Sequence, residues 1–253
     1  MATLVAPRNH FPQEDAEALW KAVKGWGTDE KTIIKILGHR NASQRQQIRL
    51  VFQDIHLEDL VKRLESELSG DFERAVYRWT LEPSKRYAVL ANVAIKNANK
   101  DYHVMVEILW VGLVSSFRYG GDEINARLAK SEANILHEAI KDKESFKDEN
   151  NISISKKLLE ETSDDFYKAV NVAIHCINDH KKYYEKVLRN AIKGVGNNED
   201  GQTRVFVTRA EKDLKDIKEL YYKKNSVHLE DTMAKENSGY YKKFLLTLLG
   251  KGG

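Results

Sequence analysis

The most constraining feature of the sequence is a short glycine-containing segment that occurs near both ends of the chain. Residues 24–28 read Lys-Gly-Trp-Gly-Thr and residues 193–197 read Lys-Gly-Val-Gly-Asn, each between two stretches with apolar residues at helical spacing. Glycines in this position indicate a tight turn between helices that needs positive φ. Glu67 and Glu236 each follow the second glycine of their segment by 40 residues. The chain therefore holds two turns of one kind, each with a matched acidic residue.

A turn of this kind leaves several backbone carbonyl oxygens pointing outward. A carboxylate folded back onto them completes an oxygen cage suited to a hard cation. A single Gly-x-Gly segment is weak evidence for a site, because the same glycines also simply end a helix. Two segments with glutamates at identical spacing favour the cation site over the plain helix end.

The composition restricts the class of protein. Of the 253 residues 42% are hydrophobic and 31% are charged, and there are three prolines, which favours a soluble, helix-rich fold. The single cysteine, Cys176, excludes an internal disulfide framework and fits a reducing compartment. We expect no secretory signal in residues 1–7, and the longest apolar stretch, 104–114, is too short to span a bilayer.

The charge of the chain is nearly balanced. The formal net charge is +3, and acidic and basic residues are interspersed. We therefore expect no nucleic-acid partner and little non-specific attraction to acidic lipid. Firm binding to an anionic surface needs another source of positive charge, which a bound cation would supply.

The sequence contains an internal repeat. Residues 14–82 carry five successive helix patterns, and a shift of 169 residues lays this segment over the C-terminus without a gap. The matched pairs include Gly25 with Gly194, Gly27 with Gly196, Arg40 with Arg209, Leu60 with Leu229, and Glu67 with Glu236. This self-similarity predicts an all-α chain built from five-helix units of about 70 residues that pack against their neighbours.

These features together resemble a known family. A Lys-Gly-x-Gly-Thr turn with a carboxylate 40 residues later, in a five-helix unit of about 70 residues, resembles the annexin repeat. Trp26, the run 36–41 (Ile-Leu-Gly-His-Arg-Asn) and the run 241–246 (Tyr-Lys-Lys-Phe-Leu-Leu) are similar to plant annexins in particular. The resemblance extends over residues 14–250 and implies an all-α, annexin-like array of five-helix repeats.

The middle of the chain departs from the four-repeat pattern of the family, because it is too short for two complete repeats. The first and fourth repeats are expected to be complete, and the second and third to be truncated. The predicted segments are an N-terminal tail (1–13), repeat 1 (14–82), truncated repeat 2 (83–122), truncated repeat 3 (123–180) and repeat 4 (181–253).

The resemblance implies Ca²⁺ as the cation and a defined set of ligands. In the first repeat these are the backbone carbonyls of Val23, Gly25 and Gly27 with the bidentate carboxylate of Glu67. In the fourth repeat they are the carbonyls of Ile192, Gly194 and Gly196 with the carboxylate of Glu236. About five oxygens per site fall short of the six to eight that Ca²⁺ takes, so the open positions go to water or to a lipid phosphate oxygen. The ion then bridges the protein and the membrane.

Four residues of the two turns are expected to contact the membrane. Trp26 lies at a turn tip that is poorly placed to reach a core, and tryptophan prefers the membrane interface. Val195 is its smaller counterpart in the fourth repeat, and Lys24 and Lys193 add weak contacts with headgroups. The alternative for Trp26 is a partly buried core position.

Two further positions of the first turn have alternative roles. The resemblance suggests a minor second ion site at Thr28 and Glu30, whereas their plainer roles are helix N-cap and first-turn acid. In the truncated repeats the positions that match the two glycines carry other residues, so we expect no calcium there. These residues are Asn97, Asn99, Asp142 and Glu144.

The enzymatic alternatives have less support. The chain has no Gly-x-x-x-x-Gly-Lys phosphate loop. His39 matches a histidine for which haem peroxidase activity has been proposed in plant annexins, but a helix C-terminal cap is its plainer role. Cys176 is expected to be a buried small apolar residue. A further alternative is a purely structural helical protein, in which the deletions that shorten the second and third repeats have compromised the membrane-binding face.

We therefore expect a non-enzymatic protein that binds acidic phospholipid membranes in a Ca²⁺-dependent manner. The resemblance implies a cytoplasmic protein that becomes peripheral on membranes when Ca²⁺ rises. It leaves open contacts with the cytoskeleton or self-association on membranes.

Overall fold

The computed structural model describes residues 1–25, 27–96, 165–193 and 198–251 of the chain. All secondary structure within these ranges is α-helical, which confirms the predicted all-α class. No helix in the described part of the chain is long and apolar enough to cross a bilayer. Most of the predicted second and third repeats, and the side chain of Cys176, lie outside the described residues. Their boundaries and truncations stay predictions.

Five helices form the N-terminal part of the chain, and a sixth follows them. They are α1 (Pro12–Val23), α2 (Glu30–Leu37), α3 (Ala42–His56), α4 (Leu60–Glu67), α5 (Gly70–Thr80) and α6 (Pro83–Lys96). The described C-terminal helices are α7 (Asp165–Lys193), α8 (Glu199–Arg209), α9 (Leu214–Asn225), α10 (Leu229–Glu236) and α11 (Gly239–Leu248). Helix α7 is interrupted by non-helical backbone at Asp179.

Local capping interactions explain where several of these helices begin. Asn41 and Gln44 form a reciprocal capping box at the start of α3. The Asp59 carboxylate accepts hydrogen bonds from the backbone N–H groups of Val61 and Lys62 at the start of α4. The expectation that Thr28 caps α2 is wrong, because the N-cap of α2 is Asp29.

Hydrogen bonds from Thr32 account for the choice of Asp29 as the cap of α2. The Thr32 hydroxyl donates to Asp29 Oδ2 at 2.7 Å, and the Thr32 backbone N–H donates to Oδ1 at 3.1 Å. These bonds hold the pKa of Asp29 below its usual value. The Thr28 hydroxyl is used elsewhere, in a contact that belongs to the candidate site.

The sequence repeat is also a repeat of backbone conformation. Helix α10 spans the residues that correspond to α4 after the shift of 169. Leu57 and Ser226, which directly follow α3 and α9, have φ of 56° and 57°, and Gly70 and Gly239 have φ of 67° and 61°. The same sharp bends therefore recur where the helices of each repeat change direction.

The first and fourth repeats pack into one compact unit, which comprises Met1–Val89 and Lys181–Gly253. In this unit α5 contacts α8, and α11 contacts both α2 and α5. The Phe72 ring lies 6.0 Å from the rings of both Tyr240 and Phe244. Gly38 lies against Thr247 so closely that a Cβ atom would come within 2.8 Å of its methyl carbon. The glycine therefore permits the close contact between α2 and α11.

A partly buried ion pair adds polar contacts to the same unit. The Glu211 carboxylate accepts a 2.6 Å hydrogen bond from the backbone N–H of Ala42 and lies 3.0 Å from Nη2 of Arg45. The Arg45 side chain is only 1% exposed, and its guanidinium lies 3.7 Å from the centre of the Trp79 ring. A fourth-repeat carboxylate thus completes the start of α3 in the first repeat. The remaining residues, Leu90–His180, form a second unit.

Candidate metal site in the first repeat

The turn between α1 and α2 has the backbone conformation that its two glycines predict. Gly25 and Gly27 have φ of 111° and 87°, a region that L-residues with a side chain rarely adopt. A Cβ atom at either glycine would meet no atom within 4 Å, so backbone conformation rather than space requires glycine here. The backbone N–H of Asp29 donates to the carbonyl oxygen of Ala22 at 2.8 Å and closes the turn.

The C-terminal end of α4 lies beside this turn. Glu67 is the last residue of α4, and its backbone carbonyl accepts a 3.3 Å hydrogen bond from the hydroxyl of Thr28. This contact connects residues that are 39 positions apart in the sequence. The predicted carboxylate ligand and the predicted carbonyl ligands of the first repeat therefore belong to neighbouring segments.

Arg63, which the sequence analysis did not identify, lies between two of the predicted ligands. Its Nη2 atom donates a 2.9 Å hydrogen bond to the carbonyl oxygen of Val23 and lies 3.2 Å from Oε1 of Glu67. One cationic group thus contacts a carbonyl at the end of α1 and a carboxylate at the end of α4. The guanidinium acts as a stand-in cation, because the two oxygens that it contacts are those proposed for a metal ion. The Val23 carbonyl and the Glu67 carboxylate are both oxygen donors, which is the ligand type that a hard cation prefers.

An aromatic side chain borders the site. Trp20 stacks on His56 with 4.4 Å between ring centres and meets Phe52 edge-on. The Arg63 guanidinium lies 5.7 Å and the Lys24 ammonium 5.8 Å from the centre of the Trp20 ring. Trp20 could have been noticed from the sequence as an aromatic residue one turn before the glycines, but nothing there shows which cations it meets.

The predicted membrane-contact residues of the first turn are only partly described. Lys24 is exposed and directly precedes Gly25. Trp26 lies outside the described residues. Within the described part of the chain, no three or more His, Cys, Asp or Glu side chains cluster in a way that could hold a metal ion. The site proposed here takes its oxygens mainly from backbone carbonyls.

The corresponding turn of the fourth repeat is described only at its flanks. Gly194, Val195 and Gly196 lie outside the described residues. The backbone N–H of Asn198 donates to the carbonyl oxygen of Ala191 at 2.9 Å, which matches the bond that closes the first turn. Ile192 is buried, Glu236 ends α10, and Lys193 Nζ lies 3.4 Å from Oδ1 of Asn225.

His39 has a local role in the described structure. Its Nδ1 atom lies 2.9 Å from the carbonyl oxygen of Lys35, one turn earlier in the chain. This contact suits the expected function of His39 as a residue that satisfies the carbonyls at the end of α2. No observation of the described residues favours a haem ligand at this position.

Comparison with known proteins identifies the family. The annexin family model matches residues 14–79 and 183–248. The annexin-like protein RJ4 of Fragaria ananassa is 54% identical over 312 aligned positions, and annexin D7 of Arabidopsis thaliana is 41% identical, each covering 99% of both chains. Because the 312 aligned positions exceed the 253 residues of this chain, the alignment with RJ4 places gaps in this chain.

Solved structures show the same fold. Annexin A8, in a K16A mutant, superimposes with a TM-score of 0.80 at 27% identity and covers 97% of both chains. Chicken annexin V gives a TM-score of 0.76 at 28% identity and covers 98% of both chains. A calcium-bound annexin (Sm)1, at 21% identity and a TM-score of 0.77, shares the fold. The chain belongs to the annexin family, and its close relatives are plant annexins.

Proposed function

We propose that this annexin binds acidic phospholipid membranes in a Ca²⁺-dependent manner through the turn between α1 and α2. The observation that carries the proposal is the convergence of the glycine turn with the end of α4, where the hydroxyl of Thr28 donates to the backbone carbonyl of Glu67. The family supports the general function, because annexins are Ca²⁺-dependent phospholipid-binding proteins.

The proposed ligands in the first repeat are the carbonyl oxygens of Val23, Gly25 and Gly27 with the carboxylate of Glu67. They supply about five of the six to eight oxygens that Ca²⁺ takes. Bound there, Ca²⁺ contributes positive charge and open coordination positions for lipid phosphate oxygens. The glycine turn presents the carbonyls, and the hydrogen bond from Thr28 to the Glu67 carbonyl holds α4 against the turn.

A second site of the same kind is proposed in the fourth repeat. Its ligands are the carbonyl oxygens of Ile192, Gly194 and Gly196 with the carboxylate of Glu236. The support is the sequence repeat and the matching hydrogen bond from Asn198 to Ala191 at the foot of the turn. Because protein and lipid each complete the coordination of the ion, calcium and acidic lipid should each raise the affinity for the other.

The turn tips provide direct contacts with the bilayer in this proposal. Trp26 and Val195 insert apolar surface at the level of the headgroups, and Lys24 and Lys193 contact headgroup phosphates. The net charge of +3 is too small to hold the protein on an acidic surface without calcium. The protein should therefore occupy cytosolic membrane faces only when Ca²⁺ rises.

Co-sedimentation with vesicles of phosphatidylserine and phosphatidylcholine tests the proposal. We expect Glu67→Gln to raise the half-saturating Ca²⁺ concentration about tenfold or more, because an amide lacks the charge of the bidentate carboxylate. Glu67→Gln combined with Glu236→Gln should abolish sedimentation at any calcium level at which the wild type binds. Glu65→Gln, an exposed position on the same helix, is the matched control and should sediment like the wild type.

Two results would contradict the proposal. Sedimentation that does not depend on calcium would show that charge or apolar surface alone attaches the protein. A double variant that sediments like the wild type would show that neither glutamate takes part. The purely structural alternative predicts no sedimentation of any variant at any calcium concentration.

A further inference from the structure

Arg63 contacts the same atoms that are proposed to bind Ca²⁺ in the first repeat. Its Nη2 donates to the Val23 carbonyl at 2.9 Å and lies 3.2 Å from Glu67 Oε1. A carbonyl lone pair and a carboxylate oxygen that accept from a guanidinium are not available to a metal ion. Two cations held at the same oxygens would also repel each other.

The surroundings hold the Arg63 side chain in this position. The side chain is 26% exposed, and its guanidinium lies 5.7 Å from the centre of the Trp20 ring. Its Nε atom is buried without a hydrogen-bond partner. A buried donor without a partner is unfavourable, so this position does not satisfy the whole guanidinium. The contacts with Val23 and Glu67 hold the side chain at the site, and the unsatisfied Nε favours its displacement.

We propose that Arg63 is a resident cation that competes with Ca²⁺ for the first-repeat site and must leave it when the ion binds. This inference rests on the proposed function, since it concerns the regulation of that same site. In the calcium-free protein the guanidinium neutralises Glu67 and occupies the Val23 carbonyl. Calcium binding then includes the work of breaking both contacts, which raises the calcium concentration at which the site fills.

The structure offers a second position for the displaced guanidinium. Glu58 Oε2 lies 4.0 Å from Nη1 of Arg63, whereas Glu67 Oε1 lies 3.2 Å from Nη2. A cavity of about 460 Å³ lies along this face of α4, and its lining includes Leu57, Glu58, Arg63 and Ser66. Glu58 is therefore an alternative carboxylate partner for the side chain when it leaves Glu67.

The fourth repeat has no arginine at the position of Arg63. The shift of 169 residues places Thr232 at the position of Arg63. The Thr232 hydroxyl donates to the carbonyl oxygen of His228 at 3.1 Å, which is an interaction within its own helix turn. In the fourth repeat Glu236 Oε1 instead lies 3.8 Å from Nζ of Lys235.

Calcium titration of the lipid-free, full-length protein in a Glu236→Gln background tests the inference, because the fourth-repeat site is then weakened and the first-repeat site fills at lower calcium. The matched variants are Arg63→Thr, which installs the residue of the fourth repeat, and Lys62→Thr, which removes one positive charge from the exposed neighbour. Calorimetry gives the half-saturating concentration of Ca²⁺, and Tb³⁺ luminescence sensitised by tryptophan gives a second reading. We expect Arg63→Thr to lower the half-saturating concentration about three- to tenfold, because calcium no longer has to break a partly exposed charged contact. Lys62→Thr should change it less than about twofold.

A spectroscopic measurement follows Arg63 itself. In the wild-type protein labelled with ¹⁵N-arginine, the Nε–H resonance of Arg63 should shift along the calcium titration of the first-repeat site. In Glu67→Gln, whose first-repeat site is expected to bind calcium at least about tenfold more weakly, the resonance should shift only at correspondingly higher calcium. A thermal melt by circular dichroism of each variant checks that helix α4 is intact, and Arg63→Gln, which keeps the length of the side chain, replaces Arg63→Thr if that variant unfolds.

The outcomes separate this inference from the proposed function. If Glu67→Gln weakens calcium binding as expected but Arg63→Thr leaves the half-saturating concentration unchanged or raises it, Arg63 does not compete, and the proposed function stands. If neither the wild type nor Arg63→Thr binds calcium at the first repeat, the proposed function and the competition are both overturned.

Discussion

At the scale of single residues, a buried arginine completes the C-terminal end of α5. Arg86 donates hydrogen bonds to the carbonyl oxygens of Trp79 at 2.9 Å and Leu81 at 3.1 Å, and it also donates to Val207 of the fourth repeat. The last carbonyls of a helix have no partner within the helix, so a buried donor that reaches them is strongly stabilising. Burial, and then the charge of Arg45, lowers the pKa of Arg86 to about 9, which leaves the guanidinium charged at neutral pH.

Replacing Arg86 should therefore destabilise the compact unit of the first and fourth repeats. We expect Arg86→Met to lower the free energy of unfolding by about 2–4 kcal/mol, because buried carbonyls lose their donors while the apolar volume is largely kept. Urea denaturation followed by circular dichroism measures the change. Arg74→Met, at an arginine whose side chain is 53% exposed, is the control and should change stability by less than about 0.5 kcal/mol. Equal stability of the two variants would contradict the role of Arg86.

At the scale of elements, the start of α4 is fixed by a carboxylate with several donors. Asp59 accepts from the backbone N–H groups of Val61 and Lys62 and pairs with Arg49, whose Nη2 lies 2.5 Å from Oδ2. Burial raises the pKa of Asp59, whereas these hydrogen bonds lower it. The hydrogen bonds have the larger combined effect, so the pKa of Asp59 lies below its usual value. The ionised carboxylate is therefore the form that the folded protein prefers.

The pH dependence of stability should reveal this cap. Because the folded-state pKa lies below the unfolded value near 4, the stabilisation by Asp59 is fully present above that value and is lost as pH falls through the folded-state pKa. At pH 7 we expect Asp59→Ala to cost about 1–2 kcal/mol, which is typical of a lost N-cap. The difference from the wild type should shrink below about pH 4 in urea titrations at a series of pH values. A difference that stays constant down to pH 2 would show that the charge of Asp59 is not involved.

At the scale of the whole molecule, residues far apart in the sequence form one compact unit. Met1–Val89 and Lys181–Gly253 belong together, and their contacts include the pair of Arg78 Nη2 with Asp200 Oδ1 at 2.6 Å. The rings of Phe72 and Phe244 meet edge-on in the same unit. These contacts join segments that lie on either side of residues 90–180 in the sequence.

Cleavage of the chain in its middle should therefore leave the two outer repeats associated. We expect a protein with an engineered protease site after Gly121 to elute as a single species in size-exclusion chromatography after complete cleavage, because apolar and ionic contacts across the unit replace the covalent connection. A denaturing gel of the same fraction verifies that cleavage is complete. Two separate peaks, each with one fragment, would contradict the packing of the first repeat on the fourth.

The sequence alone predicted the features that depend on nearby residues. The positive φ of Gly25 and Gly27 follows from a glycine pair between two helical patterns, and the five-helix unit follows from apolar spacing and the repeat at 169 residues. The error at Thr28 shows the limit of such reasoning. Thr28 and Asp29 are both competent caps, and the hydroxyl of Thr28 instead donates to the carbonyl of Glu67, 39 residues away.

Only the tertiary structure decided which residues meet across these elements. In the sequence Arg63 is one more charged residue on an amphipathic helix, and its contact with Val23 depends on how α4 lies against the end of α1. The absence of a side chain at Gly38 becomes meaningful only where Thr247 approaches from the fourth repeat. Helix formation and turn conformation are local, because they follow from residue spacing and backbone sterics. The position of the Arg63 guanidinium between Val23 and Glu67 instead results from the packing of α4 against the end of α1.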